Sequence, residues 1–569
     1  MKKATTKWRG LVVLAGVLII AGLVLGACGS SGGGGGASPS AAATPKPGGT
    51  YVYPIGADPQ SIEPLNLQEA DAAQITHQVF QGLYMIQEQP DGKSIAVPDL
   101  AEKTEMSPDA KTFTFTIKQG VMFAPPVSRE VTAQDFYDSW NYVLDPANKS
   151  VLSGYLFQNL AGLDPNTGYR KGDRLTSVKV LSKYSFQATL ATAFSQFPVT
   201  LCNDVTKVFP VDYAKKIGKA AFFEKPVGTG PYMVDSWDHN KSVTIVKNPD
   251  YWNKDGSSAN SAGPGYVDTI SFPVYTDTST AYLAFQKGTL DFTAIPAGSF
   301  ISAQSLPDTK SGTWTVKAYP NTGTYFYGIA MKKPILGGSA NLPIRVALNY
   351  AADRDAVCNI VNQGVPIPND QIVSVFVGGY KPGLNPYPYD PAKAQPELDK
   401  FTAAGGTLPQ DIPMWFNNGN DHDKNAQVLV AGWQKAMPAL TFKLVGTETA
   451  AYWPSLTDHK PPALFRNGWV ADYPSIDNFI YLFTTKGGDY GGDTQYSNPE
   501  VDRLFAEARA AQDEQTANDL YNQAQILVLT DAPCVPIYSY RDARITNNRI
   551  GGFNYNAFAL TDMWKLWVK

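Results

Sequence analysis

Runs of alternating apolar residues and runs with helical spacing follow one another along most of the chain. Residues 111–117, Lys-Thr-Phe-Thr-Phe-Thr-Ile, alternate polar and apolar positions, which predicts a strand with one buried face. Further strands are predicted at residues 49–53, 185–190, 232–237, 242–246 and 290–295. Helices are predicted at residues 72–84, 132–144, 282–286 and 343–363, and from residue 499 onward. This interleaving, without internal repeats, predicts an α/β protein.

Two of the predicted helices have marked starts. Thr132 and Asp135 come close to a capping box, in which the side chains at the first and fourth positions satisfy exposed backbone N–H groups. Asn498 followed by Pro499 places an N-cap residue before a proline in the first turn. The sequence therefore predicts helices that begin at these two places.

Length and composition narrow the class of protein. A chain of 569 residues is too long for one hydrophobic core and predicts two or three domains. With 43% hydrophobic and 17% charged residues the chain is globular, and a net charge of -4 argues against a nucleic-acid partner. The 30 Tyr, 27 Phe and 11 Trp residues suit an amphipathic ligand cavity, and they suit large cores with scattered surface tyrosines equally well.

The first residues have the pattern of an export signal. Basic residues at positions 2, 3, 7 and 9 precede an apolar run over residues 11–27. A permanent single-span anchor is the alternative, for which the run is of borderline length. The run ends Leu-Gly-Ala-Cys at Cys28, which resembles a bacterial lipobox. We therefore predict a lipoprotein signal peptide over residues 1–27 and a lipidated Cys28 that holds the protein on the extracytoplasmic face of the cell membrane. Residues 28–47, rich in Gly and Ser, are predicted to be a flexible tether.

One stretch combines charges with apolar residues in an unusual way. Residues 464–474, Leu-Phe-Arg-Asn-Gly-Trp-Val-Ala-Asp-Tyr-Pro, place Arg466 and Asp472 among aromatic and aliphatic residues. A carboxylate there loses hydration and needs a cation or several donors in its place. Asp472 either forms a structural ion pair with Arg466 or another base, or it binds a ligand cation beside Trp469.

Other candidate sites are weaker. Cys202 and Cys534 form a disulfide or, with Cys358, three buried thiols, and the spacing does not decide between them. The four histidines stand apart, so no zinc site is predicted. Asp421-His422-Asp423 is predicted to be a solvated loop, and residues 487–493 a mobile turn, rather than metal sites. No cofactor is predicted. No phosphate-binding G-x-x-x-x-G-K-[ST] motif occurs.

Several segments together resemble the peptide and dipeptide substrate-binding proteins of ATP-binding-cassette importers, which belong to the extracellular solute-binding proteins of family 5. The similar segments are residues 58–64, 79–83, 131–146, 228–252, 281–291, 343–364 and 469–483. The resemblance implies a periplasmic-binding-protein-like fold with two lobes, a hinge between them and an additional third domain. It places the first lobe at residues 48–98, 191–319 and 536–569, the added domain at 99–190 and the second lobe at 321–535.

The resemblance also implies a site and partners. The aspartate of the W-x-x-D-Y run, here Asp472, is expected to receive a peptide's α-ammonium, with Trp469 and Tyr473 beside it. Arg466 stands where the family can carry a base that meets a short peptide's carboxylate. The expected protein is a monomeric, non-enzymatic receptor that delivers peptides to permease and ATPase subunits.

This sequence departs from the family pattern at residues 72–74 and 150–154, so the same fold binding a sugar, nickel chelate, opine or haem is the alternative. A secreted hydrolase using Asp472 with Arg466 is a further alternative, which lacks a recognisable nucleophile and base.

Overall fold

The computed structural model describes residues 45–66, 70–150, 157, 159–258, 260–458, 460–487 and 493–569. The predicted signal peptide, Cys28, most of the tether and the centre of the predicted turn at 487–493 lie outside these residues. In the part that is described, no helix has the length and apolar character needed to cross a membrane.

The strands are numbered here in chain order. They are β1 Thr50–Val52, β2 Tyr84–Glu88, β3 Ser94–Pro98, β4 Ala101–Met106, β5 Thr112–Ile117, β6 Val178–Ser182, β7 Ser185–Thr189, β8 Tyr232–Asp238, β9 Ser242–Lys247, β10 Thr269–Pro273, β11 Phe292–Ala294, β12 Trp314–Ile329, β13 Ile367–Pro368, β14 Ile412–Asn417, β15 Phe442–Thr447, β16 Leu464–Trp469, β17 Cys534–Asn547, β18 Ile550–Gly551 and β19 Trp567–Val568.

The α-helices are distributed over the same length of chain. They are Ala70–Val79, Ala133–Val143, Phe197–Thr200, Val211–Ile217, Lys219–Glu224, Thr278–Gln286, Phe300–Gln304, Pro307–Lys310, Leu342–Tyr350, Arg354–Ala356, Ala394–Ala403, His422–Ala436, Thr449–Thr457, Asp477–Ile480, Pro499–Ala510 and Glu514–Asp531. A π-helical turn occupies Val357–Val361.

The largest sheet is built around two long antiparallel strands. Its order is β11-β17-β12-β16-β14-β15, with β13 paired to β17. The strands β12, of 16 residues, and β17, of 14 residues, pair along most of their length, with register shifts between Pro320 and Thr324 and between Tyr325 and Phe326. The two strands therefore lie between the edge strand β11 and β16, and β14 and β15 continue the sheet beyond β16.

Two smaller sheets lie earlier in the chain. One has the order β1-β10-β9-β8 and the other β4-β5-β7-β6. The second is antiparallel throughout and uses only strands between residues 101 and 189. In β5 the alternation expected from the sequence is confirmed, because Phe113, Phe115 and Ile117 are buried while the residues between them are half-buried. Mixed helices and sheets confirm the predicted α/β class.

The predicted lobe boundaries fall inside the long strand pair. Tyr319 in β12 pairs with Asp542 in β17, whereas Pro536 pairs with Phe326. The predicted boundary after Tyr319 and the predicted boundary before Pro536 therefore do not lie opposite each other in the strand pair. The division into lobes stays a prediction.

The two capping signals are confirmed. The Thr132 N–H donates to the Asp135 carboxylate at 2.8 Å at the start of Ala133–Val143. The Asn498 side chain accepts from the Glu500 N–H at 3.0 Å at the start of Pro499–Ala510.

Two predicted helices are shorter than expected. The helix predicted at residues 72–84 ends at Val79, whose carbonyl accepts a 2.9 Å hydrogen bond from the Gly230 N–H. A Cβ at Gly230 would lie 2.3 Å from the carbonyl oxygen of Gln78, so only glycine permits this approach. The helix predicted at 343–363 breaks after Tyr350, because the Asp353 side chain accepts from the Ala356 N–H at 2.8 Å and starts a new helix.

A buried ion pair holds the chain that follows β16. The Asp477 carboxylate, fully buried, accepts from Arg509 Nε at 2.7 Å and Nη2 at 2.9 Å. The hydroxyls of Tyr473 and Tyr521 donate to the same carboxylate at 2.5 and 2.7 Å. Four donors therefore replace the water that Asp477 loses on folding.

Asp477→Asn should lower the free energy of unfolding by about 3–5 kcal/mol, because it leaves the buried Arg509 guanidinium without its counter-charge. Urea denaturation followed by circular dichroism measures the loss. The matched control is Asp238→Asn, which breaks a surface pair with Lys241 and should cost less than about 1 kcal/mol. Equal losses in the two variants would contradict the role given to the buried pair.

Candidate functional site

A cavity of about 220 Å³ opens beside Asp472. Its walls come from segments far apart in the chain: the helix Ala70–Val79 with β2, residues 202–207, residues 558–564, and Ala471 with Asp472. The first three segments fall in the predicted first lobe and the last in the predicted second lobe. The cavity thus lies where the two predicted lobes meet.

The position of Asp472 is set by Asn478. The Asp472 N–H donates to Asn478 Oδ1 at 3.0 Å, and Asn478 Nδ2 donates to Asp472 Oδ2 at 3.4 Å. The indole N–H of Trp469 donates to the same Asn478 oxygen at 2.7 Å. One amide therefore fixes both the half-buried carboxylate and the indole at the end of β16. Asn203, from the opposite wall, donates to the Asp472 carbonyl oxygen at 3.3 Å.

Trp469 and Tyr473 take supporting positions in the structure. Trp469 is half-buried, and Tyr473 is buried with its hydroxyl on Asp477. Neither is among the described residues that line the cavity beside Asp472. Of the four predicted ligand-binding residues, Asp472 alone lines this cavity in the described chain.

The cavity wall carries further ionisable groups that the sequence did not indicate. Lys207 pairs with Asp204, and His77 Nε2 lies 3.1 Å from Asp562 Oδ1. Asp99 accepts from Gln81 at 3.0 Å, and burial raises the pKa of its carboxyl to about 6. Those that line the cavity, His77, Asp99, Asp204 and Lys207, come from three separate segments of the chain, so only the fold brings them together.

Arg466 lies at a different cavity, of about 250 Å³. It is buried in β16, its Nη2 donates to the Tyr540 hydroxyl at 3.0 Å, and its guanidinium lies 5.0 Å from the centre of the Tyr325 ring. Its Nε has no hydrogen-bond partner among the described residues. Arg466 and Asp472 line different cavities and do not form the ion pair that was considered between them. Among the described residues, Asp477 and Arg509 form a buried pair in this region.

His422 lines the same second cavity and corrects one prediction. The expected solvated loop at 421–423 is wrong, because His422 is buried and begins the helix His422–Ala436. Asp421 makes the turn into this helix with a left-handed backbone, φ 56°. Burial, with the charge of Arg466 as a second cause, lowers the pKa of His422 to about 3. The described residues contain no group of three side chains suited to a metal ion.

The disulfide considered between Cys202 and Cys534 is also wrong. Cys202, Cys358 and Cys534 are free and buried. They belong to three different hydrophobic clusters, so their sulfurs are held apart by the packing of separate cores.

Comparison with known proteins assigns the chain to a family. The profile of the bacterial extracellular solute-binding proteins, family 5 Middle, matches residues 96–491, which is more than half of the chain. This chain belongs to family 5.

Relatives within family 5 match over nearly the whole length. The oligopeptide-binding protein OppA of Bacillus subtilis (strain 168) is 28% identical over 94% of this chain and 95% of its own. The periplasmic oligopeptide-binding protein OppA of Escherichia coli (strain K12) is 26% identical over 88% of each chain. The structure of HbpA2 from Haemophilus parasuis, at 23% identity, covers 92% of this chain and 100% of its own with a TM-score of 0.76. The two-lobed binding-protein fold of family 5 is thus confirmed.

The buried Asp99 should make stability depend on pH. The pKa of the Asp99 carboxyl is about 6 in the folded protein against an ordinary 3.8. The neutral carboxyl therefore favours the folded state fully below about pH 4, and this contribution to stability is lost as the pH rises through 6. The Asp99→Asn variant has no carboxyl at this position to ionise, so it should not show this loss of stability. In the wild type the loss amounts to up to about 3 kcal/mol between pH 4 and pH 8. Urea unfolding of both proteins across this range measures it, and parallel pH profiles would contradict the prediction.

Proposed function

We propose that this protein is an extracytoplasmic receptor that captures peptides and delivers them to the permease of an ATP-binding-cassette importer. Membership of family 5 and the two relatives named as oligopeptide-binding proteins support the peptide as cargo. Recognition is the whole contribution of this chain. Permease and ATPase subunits supply transport and ATP hydrolysis, and the chain catalyses no reaction.

The observation that carries the proposal is the place of Asp472. Its carboxylate is half-buried in the wall of a cavity whose other walls come mainly from the predicted first lobe. A peptide's α-ammonium beside this carboxylate makes a charge-assisted hydrogen bond, worth about 1.5–3 kcal/mol. Every unmodified peptide has this group, so the contact favours peptides without reading their side chains.

The size of the cavity implies movement. At about 220 Å³ it lies below the roughly 300–1,000 Å³ of ordinary ligand pockets. Peptides of several residues therefore enter by separation of the lobes, which close again around them through the β12–β17 pair. The permease then distinguishes loaded from empty protein by the closed arrangement.

The proposed anchor completes the receptor. A lipid on Cys28 and the tether at residues 28–47 keep the folded part near the importer. The alternative cargoes, a sugar, a nickel chelate, an opine or haem, lack the α-ammonium of a peptide or present it differently.

Asp472→Asn should weaken binding of an unmodified peptide at least about tenfold, because it removes the counter-charge of the ammonium. Isothermal titration with one tetrapeptide and with its N-acetylated form measures the effect. The wild-type protein should prefer the free peptide by a similar factor, and the variant should bind both forms about equally.

Two results would contradict the ammonium contact. One is an unchanged preference for the free peptide in Asp472→Asn. The other is wild-type binding of a neutral sugar or metal chelate with no binding of peptide, which would keep the receptor and replace its cargo. Asp238→Asn, which removes a surface carboxylate that does not line the cavity, is the control and should leave the ratio of the two affinities unchanged.

Cys28→Ala should release the protein from the membrane, since the acylated thiol is then lost. Fractionation of the producing cells measures the distribution, and mass spectrometry of the wild-type amino terminus identifies the lipid. Retention of Cys28→Ala in the membrane fraction would favour the single-span anchor.

A further inference from the structure

The segments that follow Asp472 contact the predicted first lobe at several points. Ser475, which is buried, donates its hydroxyl hydrogen to Gln196 Oε1 at 2.6 Å. The Ser195 N–H donates to the Arg509 carbonyl oxygen at 2.7 Å. Residues 195 and 196 belong to the predicted first lobe and residues 475 and 509 to the predicted second lobe.

Arg509 reaches across as well as holding Asp477. Its Nη1 donates to Asn159 Oδ1 at 3.2 Å, and its guanidinium carbon lies 4.4 Å from the centre of the Phe194 ring. Asn159 falls in the predicted added domain. Tyr473, next to Asp472, packs into the hydrophobic cluster that is formed mainly by residues of the first lobe and the added domain.

We propose that this set of contacts, Ser475 with Gln196 and Arg509 with Asn159, Phe194 and Ser195, is a clasp that sets the free energy of lobe closure. The proposal deepens the proposed function and rests on its division into lobes. The clasp makes Ser475 and Gln196 positioning residues: neither is among the described residues that line the cavity beside Asp472, and both act through the arrangement of the lobes.

Burial gives the clasp its strength. Gln196 and Ser475 have relative exposures of 9% and 4%, so their hydrogen bond does not compete with bulk water while the lobes are together. Removing the Ser475 hydroxyl leaves the Gln196 oxygen enclosed without this donor in the closed arrangement only. The Ser475 hydroxyl also accepts from the Asp477 N–H at 3.2 Å, a contact within one lobe that the substitution removes in both arrangements. The bond to Gln196 is lost only from the closed arrangement, so the substitution shifts the balance towards opening.

The expected effect on binding differs from that of Asp472. Apparent affinity falls in proportion to the fraction of protein in the competent arrangement, whatever the ligand. A weaker clasp therefore lowers the affinity for every cargo by the same factor. The Asp472 carboxylate, by contrast, changes the ratio between charged and uncharged peptide ends.

Ser475→Ala tests the clasp with the full-length protein. We expect the affinities for a tetrapeptide and for its N-acetylated form to fall together, by about fivefold, with their ratio unchanged. Small-angle X-ray scattering of the ligand-free protein should show a larger radius of gyration for Ser475→Ala than for the wild type. The scattering comparison needs no ligand, so it remains informative if peptide proves to be the wrong cargo.

Two further variants sharpen the result. Gln196→Ala combined with Ser475→Ala should cost less than the sum of the single losses, because both substitutions remove the same bond. Ser139→Ala is the matched control: Ser139 is buried and bonds the Phe209 carbonyl at 3.0 Å, away from residues 472–509, so it should lower thermal stability without changing affinity or radius. The clasp is overturned if Ser475→Ala changes neither affinity nor radius, or if it changes the ratio of the two affinities.

Discussion

The candidate site depends on the burial of one carboxylate that does not itself face the cavity. Asp477 is enclosed with two tyrosine hydroxyls and the Arg509 guanidinium, which together replace its hydration. Because Tyr473 and Asp477 are both fixed by this cluster, the intervening turn has little freedom. Asp472 and Asn478 stand at its two ends, so the geometry of the cavity wall follows from a charge pair in the core.

The end of β16 explains why Arg466 and Asp472, which are close in sequence, have different surroundings. Arg466 lies within β16, surrounded by aromatic rings, whereas Asp472 comes just after the strand has ended. Arg466 pairs with Tyr327 of β12, so it has a fixed, enclosed place in the sheet. Asp472, after the strand has ended, lies in the wall of the cavity. Under the predicted lobe boundaries, Arg466 is thus part of the sheet and Asp472 belongs to the segment that faces the first lobe.

Local signals in the sequence were sufficient where the interactions are local. The alternation in β5, the hairpin of β8 and β9 and the caps at Thr132 and Asn498 all follow from neighbours in the chain. Asp472 was predicted from its apolar surroundings and the family resemblance, and its contact with a ligand stays a prediction. Asp477 with Arg509 was missed because the partners are 32 residues apart and each stands in an ordinary amphipathic pattern. The helix break at Asp353 was missed because the apolar stripe continues across it. The burial of His422 was missed because its polar neighbours in the sequence are typical of a loop.

The three buried thiols have a practical consequence for testing whether the lobes move as proposed. Burial raises the pKa values of Cys202, Cys358 and Cys534, so little thiolate is present at neutral pH and reagents reach it poorly. An additional cysteine on the surface of each lobe would therefore react with maleimide dyes ahead of the native ones in the described chain. Distances between two such dyes could then be measured with and without ligand without first replacing the three buried cysteines.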